Sequence, residues 1–463
     1  MAFVVVLLVF TAFAVTILAR PNAIIGLAFG VYCFEQWAQS NSAFFGSNAS
    51  FINLGFGVLT LVALLVVVMR GQNPLNPLTS SYCWFIALYL FAGISCLWAL
   101  DRQLSFFLFR FHLPYMVTFV MLLPLVIQKE NDVHDALITT LLFCSIVMLL
   151  IFAGTQLHAF GRTIEAKVVN RVGETETRLA PLAIADMAGQ VLIIVMLMNF
   201  RGVHRIWQQL RWPIAITALL LIYRSESRGQ LLGAVFAILL LIAASRGTKS
   251  AAGWIAAGVS TSLMLGVAGW GFLQAMEDSR RWDVNRMQDV FAETRINYVT
   301  TLLTYWAESS PMNWFVGIGS STSFDPRVLG RYCHVVIFEV IGELGFIGLF
   351  LLSVFLGLVV RDSFRLYRLT KDSPVDRGVT CTLIGLFIFQ MILALKQGSF
   401  LTHTYTWLFG LMISRQAAVK SKVHYRTVVR ERWRRWYAWN QWQNQQSQQL
   451  PPAATPPTTQ PTT

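Results

Sequence analysis

The sequence predicts an all-α, polytopic integral membrane protein with about 12–13 transmembrane helices and a loop subdomain that contains an amphipathic helix. Three observations carry that prediction. Of 463 residues, 55% are apolar and only 13% are charged, with a mean hydropathy of +0.56. Soluble domains carry about 25% charged residues. Apolar runs near the ~20 residues needed to cross the hydrocarbon recur along the whole chain. Between two of those runs lies a polar stretch, 274–334, long enough to form a structure of its own.

The first run, "MAFVVVLLVFTAFAVTILAR", lacks a basic leading segment and an A-x-A-like cleavage site, so it reads as a retained span. Further spans are expected near 22–37, 51–69, 82–100, 113–128, 136–154, 182–199, 213–223, 229–244, 253–273, 335–360, 378–396 and 400–414. Only Arg20-Pro21 separates the first two, and 213–223 and 400–414 are short, so twelve spans fit as well as thirteen. By alternation, the basic stretches 200–211, 245–249, 361–377 and the tail after Arg415 fall on one side, which the positive-inside rule makes cytoplasmic. The other side then carries the longer loops 155–181 and 274–334, the latter exposing residues such as Ser321. This divides the chain into an N-terminal bundle (1–212), a core with its loop (213–360), two C-terminal helices (361–414) and a tail (415–463).

The net charge of +13 reflects topology, so nucleic acid is not an expected partner. Six scattered cysteines, without a CxxC pair, read as small core residues and not as a disulfide framework or zinc site. Residues 415–440 hold eight Lys/Arg against Glu431, interleaved with Trp433, Trp436, Tyr437 and Trp439. That pattern suits a helix on anionic membrane lipid, or a docking site for a cytoplasmic partner. The Gln/Pro/Thr end beyond it cannot bury a core and is expected to be disordered.

Ionisable groups at or within spans are costly and usually functional. In "IYRSESRGQLLG", Arg224, Glu226 and Arg228 punctuate two spans on the side away from the basic loops. Ser and Gly suit a tight turn, but a simple turn requires no arginine. In "ETRINYVTTLLTYWAESS", a period of 3.6 gathers Asn297, Thr301, Thr304 and Glu308 on a polar face. Arg295 falls instead with Val299, Leu302 and Trp306, where a planar guanidinium fork suits an anion such as phosphate. Finally, "CHVVIFEVIGELGFIGL" opens a span with His334, whose near-neutral range suits a general base, although a lone histidine at a helix mouth is more often structural. Glu339 and Glu343 follow about 8 and 13 Å along the helix at about 1.5 Å per residue. They would orient arginines, or Glu343 would be a buried structural acid. Gly342, Gly345 and Gly348 recur every three residues, which would let another helix approach closely. The residue pattern shows no P-loop, no metal-ligating cluster and no DxD-type pair, so neither metal nor cofactor is expected.

In order and spacing these segments resemble the O-antigen ligase and O-antigen polymerase superfamily of bacterial envelope glycan transferases. Three motifs carry the resemblance: Ser227-Arg228-Gly229 opening an apolar span, the Arg295 helix followed by "PMNWFVGIG", and His334 leading into "ELGFIGL". The patterned part covers roughly 213–360, and where family members commonly have Asn after the histidine this chain has Val335.

The resemblance implies a metal-independent glycosyltransferase in the bacterial inner membrane with its site facing the periplasm. Its donor would be a glycan on undecaprenyl pyrophosphate, and its acceptor a hydroxyl of another glycan or of lipid A-core. Arg228 and Arg295 would bind the pyrophosphate, and His334 would take the acceptor proton. Arg224, Glu226, Glu339 and Glu343 would support them. The same residues leave open a protein O-oligosaccharyltransferase. A transporter or flippase of lipid-linked glycan would instead use charges midway along spans, for which Asp186, Glu343 and Lys396 are the candidates.

Overall fold

The computed structural model describes residues 2–48, 50–154, 167–169, 175–177, 180–200, 205–248 and 284–449, with part of 250–266. The protein is an all-α bundle. In order, the helices are α1 (Ala2–Ala19), α2 (Ala23–Asn41), the short α3 (Ala43–Ser47), α4 (Ser50–Met69), α5 (Ser80–Ser95), α6 (Arg102–Tyr115) and α7 (Asp132–Gly154). They continue with α8 (Pro181–Leu197), α9 (Arg205–Arg224) and α10 (Arg228–Arg246). The last group is α11 (Val284–Ala307), α12 (Pro311–Val316), α13 (Val336–Thr370), α14 (Pro374–Ala394) and α15 (Thr404–Gln449). Strands Lys167–Val169 and Thr175–Thr177 pair antiparallel as a small ribbon.

Among the described residues, seven helices are long and apolar enough to cross a membrane by length and composition. Their outward faces, such as Leu7, Leu8, Val15 and Leu18 on α1, expose apolar side chains, as a lipid-facing surface does. Twelve of the thirteen expected windows coincide with helices, and the remaining one, 253–273, falls mostly outside the described residues. The first part of the polar loop (274–283) and the Gln/Pro/Thr end beyond 449 lie outside them as well.

Helix α2 is the axis of the N-terminal half. Among its nineteen residues nearly all are buried, including Glu35, whose carboxylate accepts from Gln39 and Asn53. Further on, α8 and α14 are similarly enclosed, and Trp407 of α15 sits among Phe85, Phe355 and Phe400. Five of the six cysteines are buried, and all six are free.

Side-chain bonds identify the two faces. On one, Arg70 donates to the end of α1, Arg246 to Met196 O, Arg377 to Ser245 O, and Lys420 to Asp376 and Glu130. The basic stretches therefore share a face, as alternation predicts. The turn 225–227, the loops 308–335 and 395–403, and the α5–α6 corner share the opposite one.

Two expectations are corrected by packing. Arg415 is fully buried, donating to Ile127 O at 3.0 Å and to Pro77 O, and Lys420 is 7% exposed between Glu130 and Asp376. Both belong to the bundle and not to the exposed tail, which begins at Lys422 and continues α15 as one helix through the Trp/Arg segment. The window 335–360 is likewise not a single uniform helix, because Gly345 interrupts α13 at φ 64, ψ −162.

Candidate functional site

The site face is built around that interruption. At Gly345 an added Cβ would fall 2.5 Å from both Phe315 O and Gly317 N, and at Gly317 (φ 77) it would fall 2.1 Å from Glu343 O. The two glycine motifs therefore interlock backbone to backbone. Ile318 N donates to Gly342 O at 3.1 Å and Gly319 N to Glu343 O at 2.9 Å, which pairs the loop with carbonyls that the broken helix cannot use itself. The glycine stripe thus does not form the expected helix–helix seam. Gly342 admits Leu302 of α11, Gly345 admits the loop backbone, and Gly348 faces its own Leu344.

Glu343 is the anchor of the loop. One carboxylate oxygen accepts from Ser321 N at 2.6 Å, and the other from Ser323 N at 3.0 Å and Ser323 Oγ at 2.7 Å. This is the structural acid that one reading of the sequence allowed. Ser321, expected in solvent, is consequently only 4% exposed. The loop is clamped from its other side by Ser95 and Ser105, which bond Ser320 N and O, and by Trp98 Nε1 donating to Gly317 O.

His334 lies in a bend just before α13 and adopts a left-handed backbone, φ 69, a strained conformation for a non-glycine residue. Its ring is half-buried, 4.2 Å from that of Tyr332 and 5.7 Å from that of Tyr298, to which it lies nearly parallel. Tyr298 comes from α11, and its hydroxyl accepts from Arg331 at 3.0 Å. The apolar face of α11 is as its period predicts. Leu302 is fully buried with Ile318, Val328 and Cys333, with Val299 and Trp306 packed against them, while Asn297, Thr301 and Thr304, and Glu308 in the turn just after the helix, are exposed. Arg295 occupies the α11 position one turn before Tyr298, so its helix and His334 share one end of the fold; its side chain lies outside the described residues.

The second half of the site is the turn between α9 and α10. Glu226 has φ 50, which reverses the chain within three residues and sets Arg228 at the first position of α10. Arg224 is 3% exposed, its guanidinium 5.7 Å from the centre of the Phe152 ring. Next to Arg228, Gly229 is overlain by Lys396: an added Cβ would fall 1.8 Å from Nζ and 2.4 Å from Cε. Nζ donates to Gln230 Oε1 at 3.3 Å, and Gln230 Nε2 donates to Gln397 Oε1 at 3.1 Å.

Lys396 and Gln397 belong to the loop 395–403, which joins the two halves. Two residues beyond Gly398, Phe400 N donates to Glu339 Oε1 at 3.1 Å, on the first turns of the helix that His334 opens. Glu339 is 2% exposed, and its other oxygen has no hydrogen-bond partner among the described residues. Of the three charges expected midway along spans, Lys396 follows the end of α14, Asp186 lies inside α8 about one and a half turns from its start and accepts from Gln390 at 2.6 Å, and Glu343 lies inside α13, bound by loop amides.

Sequence reasoning singled out Lys396 only as a charge for a transport route, and missed Gln230, Gln397, Tyr298 and Tyr332 as members of this region. The available signal was that Lys396 closes the apolar window 378–396 on the side away from the basic loops. Comparison with known proteins finds no matching family model and no similar curated protein.

Proposed function

We propose that the chain is a metal-independent glycosyltransferase of the O-antigen ligase or polymerase type. It moves a glycan from undecaprenyl pyrophosphate to an acceptor hydroxyl on the face opposite the basic loops, which is the periplasmic face of a bacterial inner membrane. One observation carries the reading. His334 is held in a left-handed backbone between two tyrosine rings at the opening of α13, on the face that also carries Arg228 and the helix of Arg295. A strained, half-buried histidine on the same face as these cationic positions suits proton transfer at an anionic leaving group.

In this mechanism the acceptor oxygen attacks the anomeric carbon of the donor and His334 takes the hydroxyl proton. The bond from that carbon to the phosphate oxygen breaks, and the electron pair leaves with undecaprenyl pyrophosphate. Arg228 and Arg295 stabilise the charge that develops on it. Glu343 and Glu339 act at one remove, holding the loops 317–325 and 395–403 against α13. The acceptor is another glycan or lipid A-core, with protein-directed transfer as the variant of the same chemistry. A transporter is the weaker reading, because Asp186 and Glu343 have their own hydrogen-bond donors and Lys396 lies at a helix end.

The test is transfer by purified protein in nanodiscs with a lipid-linked glycan donor. Removing a positioned base costs about 10²–10⁴-fold, so His334→Ala should nearly abolish product, and Arg295→Ala and Arg228→Lys should lose most of it at normal protein level. Activity should survive EDTA. A reaction that stops in chelator and returns with Mg²⁺ would overturn the mechanism.

A further inference from the structure

The contact between Lys396 and Gly229 spans most of the C-terminal half of the chain. Three atoms of the lysine, Nζ, Cε and Cδ, would lie 1.8, 2.4 and 2.5 Å from a Cβ at Gly229. A Cβ there would require the outer stem of the lysine to shift, so the glycine after Arg228 leaves the notch of space that this stem occupies. The lysine is also aimed. Gln230, fully buried, accepts from Nζ and donates to Gln397, so the residues after Gly229 and after Lys396 are cross-linked. Its loop is fixed in turn by His403 bonding Gln397 O, by Ser399 N donating to Thr402 Oγ1 at 2.7 Å, and by Phe400 N on Glu339.

The result gathers three basic side chains around one helix start: Arg224 and Arg228 flank the turn, and Lys396 lies over the residue after Arg228. The first turn of the nineteen-residue α10 adds the positive end of its dipole. A compact ammonium on a flexible stem fits the notch where a planar guanidinium would not.

We propose that Lys396 is a third cation of the donor site, bringing an ammonium to the pyrophosphate beside Arg228 through the notch at Gly229. This rests on reading Arg228 as a pyrophosphate ligand. It adds that the 395–403 loop couples donor charge to the helix of His334, since the same loop holds Lys396 at one end and Glu339 at the other. The lysine matters most for the second phosphate group, because one phosphate is satisfied by Arg228 and the helix end.

The test measures binding of undecaprenyl pyrophosphate and of undecaprenyl phosphate to the full chain in nanodiscs. Wild type should prefer the pyrophosphate. Lys396→Met and Lys396→Gln, the second retaining a partner for Gln230, should weaken it about 10-fold or more, as one charge-assisted contact implies. They should leave the monophosphate within about 2-fold, a discrimination that a purely structural lysine would not alter. Gly229→Ala should reproduce the loss with the lysine still present. If both lysine variants bind pyrophosphate like wild type while Arg228→Lys is weakened, Lys396 is a packing residue and the donor-site reading stands. If wild type does not discriminate the two lipids, that reading fails and this inference with it.

Discussion

Replacing Glu343 by Gln is the sharpest probe of how the loop is held. Both carboxylate oxygens are in use: one accepts from Ser321 N, the other from Ser323 N and Ser323 Oγ. A glutamine of the same shape offers one acceptor oxygen and one NH₂ donor. Whichever way the amide turns, at least one buried backbone N–H then faces another donor. An unsatisfied buried donor costs about 1–3 kcal/mol, which is a rise of about 5–150-fold in local opening at about 1.4 kcal/mol per decade. Glu343→Ala removes all three acceptor contacts and should open the loop further. Hydrogen–deuterium exchange of the protein in nanodiscs, followed on peptides covering 317–325, should show that acceleration, with transfer activity falling alongside. Glu308→Gln, exposed in the turn that follows α11, should leave exchange unchanged. Unaltered exchange across 317–325 in both Glu343 variants would refute the anchoring role.

Gly345→Ala should lower yield and melting temperature sharply, since φ 64, ψ −162 costs a non-glycine residue about 1–3 kcal/mol before its Cβ meets the loop backbone. Arg415→Met should also reduce the melting temperature by stranding Ile127 O and Pro77 O, whereas Arg426→Ala, in the exposed part of α15, should not. Cysteines placed at Ser310 and at Lys371, both exposed and on opposite faces, should label from opposite sides of the membrane; labelling of both from one side would overturn the topology. Arg327 donates to both oxygens of Asp325 and holds its carboxyl below the ordinary range. The stability this pair contributes is therefore present above the unfolded carboxyl value of about 3.9 and lost as pH falls through the lowered one. Protection of 325–330 should persist at pH 5 and disappear only in stronger acid, and Asp325→Asn should remove that dependence.

What the chain announces by itself is whatever depends on neighbours in sequence. Apolar length marks the spans, because each helix satisfies its own backbone in lipid. A period of 3.6 sorts Leu302 from Thr301 on α11 with no knowledge of what covers it. The basic stretches gather on one face because alternation of spans is a counting rule. The same reasoning extended 400–414 into a helix that begins only at Thr404, and ran a helix through Gly345, because hydropathy is blind to backbone dihedrals. It placed Arg415 in the tail because a cation reads as exposed until carbonyls such as Pro77 O and Ile127 O are brought to it from elsewhere.

The site divides along the same line. Arg228, Arg295 and His334 stood out locally, as charges or a histidine beside apolar spans. The notch that admits Lys396 to Gly229, the bridge from Gln230 to Gln397 and the pairing of Glu343 with Ser321 and Ser323 did not. Each joins segments whose local patterns are ordinary, a glycine near a turn or a glutamine after a helix, and the Gln230–Gln397 bridge closes 167 residues of chain. Only the assembled bundle decides which lysine meets which glycine, because that depends on where α10 and α14 end relative to each other, and packing between helices sets it.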